Sequence, residues 1–270
     1  MRIALAGKGG AGKTTIAATI ARLLASDGFD VVAIDADSNP NLASALGVAT
    51  DDANQAPHAL PSSIVSRRLD GPGLKDGVDA VLAAHGVVAP DGVRLAHMGM
   101  PAHADEGCMC AAHATVSSLL ADLGDRPRGM TIVDMEASPE HLSRGTARHV
   151  DLLLLVAEPY YRALETARRL AALAAQLPIA RVAVVANKVR GEADGEVITA
   201  FCERHDLELL AVVPWGEEVL DADAARQPLV EAAASGPVVA AVRRLVAALG
   251  LPDAGAVPQA DAIAGRHGPR

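Results

Sequence analysis

Gly7-Lys8-Gly9-Gly10-Ala11-Gly12-Lys13-Thr14-Thr15 follows a short apolar run, Ile3-Ala4-Leu5-Ala6, and opens a helical pattern. The stretch fits G-x-x-x-x-G-K-S/T, whose glycines let successive backbone N–H groups turn inward onto phosphate oxygens while the following helix N-terminus adds its dipole. Gly9, Gly10, Ala11 and Gly12 form the cradle, Lys13 reaches the β- and γ-phosphates, the Thr14 hydroxyl sits on magnesium, and Thr15 completes the set. The expected ligands are therefore ATP or ADP with magnesium.

Working outward, Ile16, Ile20, Leu23 and Leu24 mark a helix over Lys13–Ser26, closed by Asp27-Gly28. A buried strand over 31–34 then delivers Asp35 and Asp37 to the sheet end where ligands bind in doubly wound folds. Further strands are expected at 93–99, at 131–134 ending in Asp134, at 152–156, at 182–186 ending in Asn187-Lys188, and at 207–213. Helices are expected at 74–84, after the cysteine pair (Val116, Leu119, Leu120, Leu123), at 162–176, 192–205 and 237–249. This alternation predicts one α/β domain over 1–250, a mostly parallel twisted sheet covered by helices on both faces. Asn187 can pair with the adenine edge, and the loop at Pro214-Trp215-Gly216 is expected near the base. Residues 51–92 read as a variable insertion, the first part rich in Pro, Ser, Gly and Asp, and the tail 251–270 as disordered.

Half the residues are apolar but only 2% are aromatic, so the core must be built from Ala, Val, Leu and Ile, as a doubly covered parallel sheet is. The net charge of −9 argues against nonspecific nucleic-acid binding, which needs clustered positive charge. No apolar run reaches bilayer length, and Met1 leads straight into the first strand and the loop, which predicts a cytoplasmic protein without a membrane partner.

The early lysine, Lys8, makes the loop G-K-G-G-x-G-K-T-T, which resembles the deviant Walker A motif of the ATPase group containing the MinD, ParA, nitrogenase iron protein and CooC families. That resemblance implies a homodimer closed on ATP, with Lys8 reaching the partner's nucleotide. It also implies a first switch at Asp35-Ala36-Asp37-Ser38-Asn39-Pro40, in which Asp37 positions the attacking water or holds magnesium through a water and Asp35 supports it. Helix capping is the alternative duty for both carboxylates. The strand ending in Asp134 resembles a Walker B strand, and the second switch follows it.

Gly107-Cys108-Met109-Cys110 precedes an amphipathic helix. Two cysteines alone are an incomplete four-coordinate site, whereas two copies about a two-fold axis supply the tetrahedral thiolate set favoured by zinc and open to other soft-binding divalent metals. An incidental cytosolic pair is the alternative. The segment 98–123 resembles CooC proteins, ATPases that help insert nickel into carbon monoxide dehydrogenase. So do Asp134-Met135-Glu136-Ala137, Glu140-His141-Leu142, Arg144-Gly145-Thr146, Glu158-Pro159, Glu165-Thr166-Ala167 and Asn187-Lys188-Val189. The likeness runs from Met1 to about Leu249 and implies nickel or zinc on Cys108 and Cys110 at the dimer interface, with carbon monoxide dehydrogenase or another metalloenzyme as client. Ser138-Pro139 departs from that family, whose second switch usually has glycine there. His113 completes a C-x-C-x-x-H spacing, which is open to it as a further metal ligand, but it is expected on the solvent face of its helix, and Cys202 in or near the core. A positioning ATPase of ParA or MinD kind, acting on DNA, membrane or a protein, is the rival reading.

Overall fold

The computed structural model describes residues 1–49, 57–68, 71–99, 109–124, 126, 128–137 and 139–251. In chain order the elements are β1 Arg2–Gly7, α1 Lys13–Ser26, β2 Asp30–Ala36, α2 Leu42–Leu46, β3 Val65–Arg68, β4 Gly71–Leu74, α3 Val78–His85, β5 Val87–Val88, β6 Arg94–His97 and α4 Cys110–Asp122. They continue with β7 Gly129–Met135, α5 Glu140–Ser143, β8 Leu152–Ala157, α6 Tyr161–Ala174, β9 Arg181–Val189, α7 Glu192–Arg204, β10 Glu208–Pro214, α8 Glu217–Ala224, α9 Leu229–Ala232 and α10 Pro237–Ala248.

The main sheet runs β10-β9-β8-β1-β7-β2-β6-β5, and every neighbouring pair is parallel except the short edge strand β5. The α/β P-loop architecture expected from the sequence is the one found. Because side chains alternate across a strand, β1 sends Ile3 and Leu5 to the face covered by α1 and α10, and Ala4 and Ala6 to the face covered by α4, α6 and α7. β8 is buried along its whole length, as a strand covered on both faces must be.

The order reverses around β1, so the loop after β1 opens at the switch point beyond the strands' carboxyl ends. β2 and β7 lie in register there, Asp35 opposite Asp134. On the α1 face a buried arginine closes the bottom of the layer. Arg22 donates from Nε to Asp91 at 2.6 Å, from one terminal nitrogen to the Leu46 carbonyl at 2.8 Å, and from the other to Glu231 at 2.7 Å.

The insertion expected at 51–92 contains a β3–β4 hairpin. Leu74 is fully buried against the α4 face, and its N–H donates to Asp122 at 3.0 Å. The helix expected at 74–84 starts later, at Val78, because Leu74 belongs to that hairpin. α8 and α9, between β10 and α10, were not foreseen. The tail from residue 252 lies outside the described residues. No helix among the described residues is long and apolar enough to cross a membrane.

Candidate active site

A cavity of about 530 Å³ opens above the loop, lined by Gly9, Gly10, Gly12, Lys13, Thr14, Thr15, Asp37, Asn187, Lys188 and Pro214, with Trp215, Leu220 and Arg226 towards its far end. Its floor is the glycine loop. Gly10 and Gly12 adopt φ of 79° and 94°, which side-chain-bearing residues rarely adopt, and the Ala11 N–H closes onto the Lys8 carbonyl at 3.1 Å. Gly12 is doubly constrained, since a Cβ there would lie 2.3 Å from the Asn187 amide nitrogen.

Lys13 is buried, 7% exposed, and its ammonium lies 3.3 Å from the Gly7 carbonyl and 3.5 Å from that of Lys8. Burial lowers its pKa against the opposing pull of Asp134, Asp37 and Glu136. A cation held this way, facing a concave run of N–H groups, is a seat for a polyphosphate.

Thr14 Oγ1 donates to Asp134 Oδ2 at 2.6 Å. The other Asp134 oxygen is buried with no hydrogen-bond partner, and burial, with Asp35 and Asp37 nearby, pushes this carboxyl up to about 7. An orphaned carboxylate oxygen beside a threonine hydroxyl is the oxygen-only donor set that magnesium takes, so Thr14 and Asp134 fit that ion.

Asp35 and Asp37 separate in duty. Asp35, 1% exposed, accepts from the N–H groups of Asp37 at 3.2 Å and Leu42 at 2.8 Å, which caps α2. It does not line the cavity, and burial raises it to about 6. The capping alternative therefore describes Asp35, while Asp37 lines the cavity with Oδ1 accepting the Asn39 N–H at 2.9 Å.

On the β8–β9 side the loop is fastened from outside. Asn187 donates one amide hydrogen to the Ala11 carbonyl at 2.7 Å, which leaves one N–H and the amide oxygen for a base. Lys188, at a positive φ of 59°, reaches the Gly10 carbonyl at 2.5 Å and Glu158 at 2.9 Å. Lys8 points away from the cavity to the Tyr160 hydroxyl at 3.0 Å, and that hydroxyl donates to Glu158 at 2.8 Å. Tyr160 was not singled out from the sequence. An acidic residue just past the end of β8, at the ligand-binding edge, was the available signal.

At the end of β7, Glu136 Oε1 accepts from Ser38 Oγ at 3.2 Å and so joins the two switch segments. His141 in α5 contacts the Ala36 carbonyl through Nε2 at 2.7 Å. His113 is 2% exposed and meets the His141 ring edge-on, which corrects its expected place on a solvent face. It is buried because α4 turns that side towards the second switch and not to water. Cys110 is the first residue of α4; its sulfur is held in a disulfide and accepts from Arg144 at 2.9 Å. Cys108 and Ser138 lie outside the described residues. Cys202 is buried in α7, where burial raises its thiol pKa.

A strand–loop–helix phosphate cradle with an acidic strand end beside it defines a P-loop ATPase of the doubly wound kind. The chain belongs to the CobQ/CobB/MinD/ParA nucleotide binding domain family, whose match spans residues 3–229. Within that group it is of CooC type. It is 36% identical over 232 residues to the carbon monoxide dehydrogenase accessory protein CooC of Rhodospirillum rubrum, across 83% of this chain and 88% of that protein. An uncharacterized ATP-binding protein of Methanocaldococcus jannaschii is 37% identical over 239 residues, covering 85% of this chain and 91% of its own length. Among solved structures, the septum site-determining protein MinD of Pyrococcus horikoshii in complex with Mg-ADP superposes with a TM-score of 0.67 at 19% identity, covering 91% of this chain and 93% of that one. A ParA family ATPase from Chlorobium tepidum gives 0.66 at 19% identity, covering 92% and 97%. The last two likenesses are of fold. The family and the loop together make the protein an ATP-hydrolysing enzyme.

Proposed function

We propose that this chain is a dimeric, ATP-driven metal-delivery protein that carries nickel or zinc on Cys108 and Cys110 to carbon monoxide dehydrogenase or a related metalloenzyme. The observation that carries this reading is the contact of Arg144 with Cys110 Sγ. It ties the first residue of α4 to the second switch. Similarity to CooC of Rhodospirillum rubrum supports the choice of client.

In the nucleotide-binding protomer, Lys13 and the N–H groups of Gly9 to Gly12 hold the phosphates, and Asp37 orients the attacking water. Magnesium, when bound at Thr14 and Asp134, neutralises charge that builds on the phosphates. Lys8 leaves Tyr160 and crosses to the partner's nucleotide as the two protomers close. Closure brings four cysteines together around one ion, so metal and ATP each favour the other's binding by linkage. Hydrolysis separates the protomers and leaves the ion on too few thiolates to hold it. Neither nucleic acid nor membrane has a part in this cycle.

The test is sedimentation and metal analysis of the full chain with a nonhydrolysable ATP analogue. A dimer with one thiolate-bound ion, lost in Cys108→Ser and Cys110→Ser, is the expected result. A monomer at saturating nucleotide, or a dimer that pellets with DNA or anionic vesicles and binds no metal, contradicts it and favours a positioning ATPase.

A further inference from the structure

His113 of α4, Glu136 just past β7 and His141 of α5 come from three separate segments, yet each offers a ligand atom within 4.8 Å of the others. Both histidines are buried and their ring centroids are 4.5 Å apart. The Ala36 carbonyl can only accept, so the 2.7 Å contact with His141 Nε2 places the proton there and leaves the lone pair on Nδ1. A histidine fixed through one nitrogen by a backbone carbonyl is the arrangement that surrounds ligating histidines. Glu136 is oriented likewise, through the Ser38 hydroxyl.

The geometry points to a second metal site, contained in one protomer and distinct from the cysteine pair, in which His113, Glu136 and His141 bind a divalent cation of borderline softness such as zinc or nickel. Two imidazoles and one carboxylate are a donor set these ions accept. Bonds of about 2.0–2.2 Å place ligand atoms roughly 3–4 Å apart, so the separations among the three side chains shorten by at most about 1–2 Å on binding. Three protein ligands leave a position open, the mark of a site whose ion exchanges and is not a structural plug.

An approach exists. A cavity of about 550 Å³ beside α4 is lined by both Cys110 and His113, with Arg144, Thr146, Arg148 and His149 on its far wall. Cys110 lies one helical turn before His113, so once its disulfide is reduced an ion can pass between sulfur and nitrogen ligands without crossing the fold. Glu136 and His141 are held by Ser38 and Ala36, residues that flank Asp37, so movement of the first switch on nucleotide binding shifts two ligands at once.

The site is tested in the full chain carrying Cys108→Ser and Cys110→Ser, so that its failure is separable from failure of the cysteine reading. Cobalt(II) is the probe. One equivalent per protomer is expected, with visible d–d bands, no thiolate charge-transfer band, and displacement by zinc. Adding Glu136→Gln or His141→Gln weakens cobalt binding at least about tenfold while far-UV circular dichroism stays unchanged, and a nonhydrolysable ATP analogue changes the cobalt affinity. Should His141→Gln fail to fold, Glu136→Gln and His113→Gln carry the test. A chain lacking Cys108 and Cys110 that binds no cobalt, or binds it equally well in the folded ligand variants, overturns the proposal and leaves the three side chains as a hydrogen-bonded brace.

Discussion

The glycine loop and the corner where α4 meets the end of β7 both lie beyond the carboxyl ends of the same strands, and they are built in opposite ways. The loop is one consecutive stretch whose carbonyls are held by Lys13 from within and by Asn187 and Lys188 from β9. The corner is assembled from Ser38, His113, Glu136, His141 and Arg144, brought together from the first switch, α4 and the second switch. A seat made of neighbours in sequence recognises what every member of the family recognises, a nucleotide. An assembly of distant segments exists only when those segments take one relative position, so it can report the nucleotide state and act on something else.

Variants that break the loop have the largest expected effect. Gly12→Ala drives a Cβ against the Asn187 amide and forces a strained φ, and Lys13→Ala removes the buried phosphate cation. Either is expected to lower ATP turnover by about 10²–10³-fold, read in a phosphate-release assay, with stability changing far less. Arg144→Ala breaks the corner instead. Turnover is expected to stay within a few-fold of wild type, while the tightening of metal binding by ATP is lost in a calorimetric titration.

Stability sharpens the comparison, because the carboxylates between the two regions are held under tension. Asp134 is raised to about 7 and Asp35 to about 6, both above their unfolded values, so the folded state keeps protons that the unfolded chain releases. Their contribution to stability therefore falls as pH rises from about 4 and reaches its minimum above 7. Asp134→Asn is expected to raise the nucleotide-free Tm at pH 8 relative to wild type, with little difference at pH 5, and to abolish magnesium-dependent turnover. A variant less stable than wild type at pH 8 would refute that assignment.

Arg22→Ala, remote from both regions, is expected to cost about 1–3 kcal/mol in denaturant unfolding, since Asp91 and Glu231 are partly exposed and regain water. Tyr160→Phe has the smallest effect. It frees Lys8 from an exposed hydroxyl and is expected to strengthen ATP-dependent association by no more than a few-fold.

The loop was legible because its chemistry is local. Glycine spacing, Lys13 and Thr14 carry their own geometry, and alternating strands and helices around them suffice for a parallel sheet. Asp134 was legible as the acidic end of a buried strand. The corner was not, since nothing near His113 in sequence says that His141 will pack on its ring. Helical spacing placed it near Cys110 but could not say which side of α4 faces the second switch. Asp35 and Asp37 look alike as sequence, and only the position of α2 separates the cap from the residue that faces the cavity. The β3–β4 hairpin was hidden because Gly71, Pro72 and Gly73 are poor strand formers, and its inner residue Leu74 is buried in the α4 face of the core.

The most direct measurement is the affinity of the full chain for a nonhydrolysable ATP analogue, with magnesium, in the presence and absence of nickel or zinc. Metal is expected to tighten nucleotide binding by about 5–150-fold, with the reciprocal tightening of metal by nucleotide, and both are expected to vanish in the Cys108→Ser and Cys110→Ser chain. Equal nucleotide affinity with and without metal would contradict the coupling on which the delivery cycle depends.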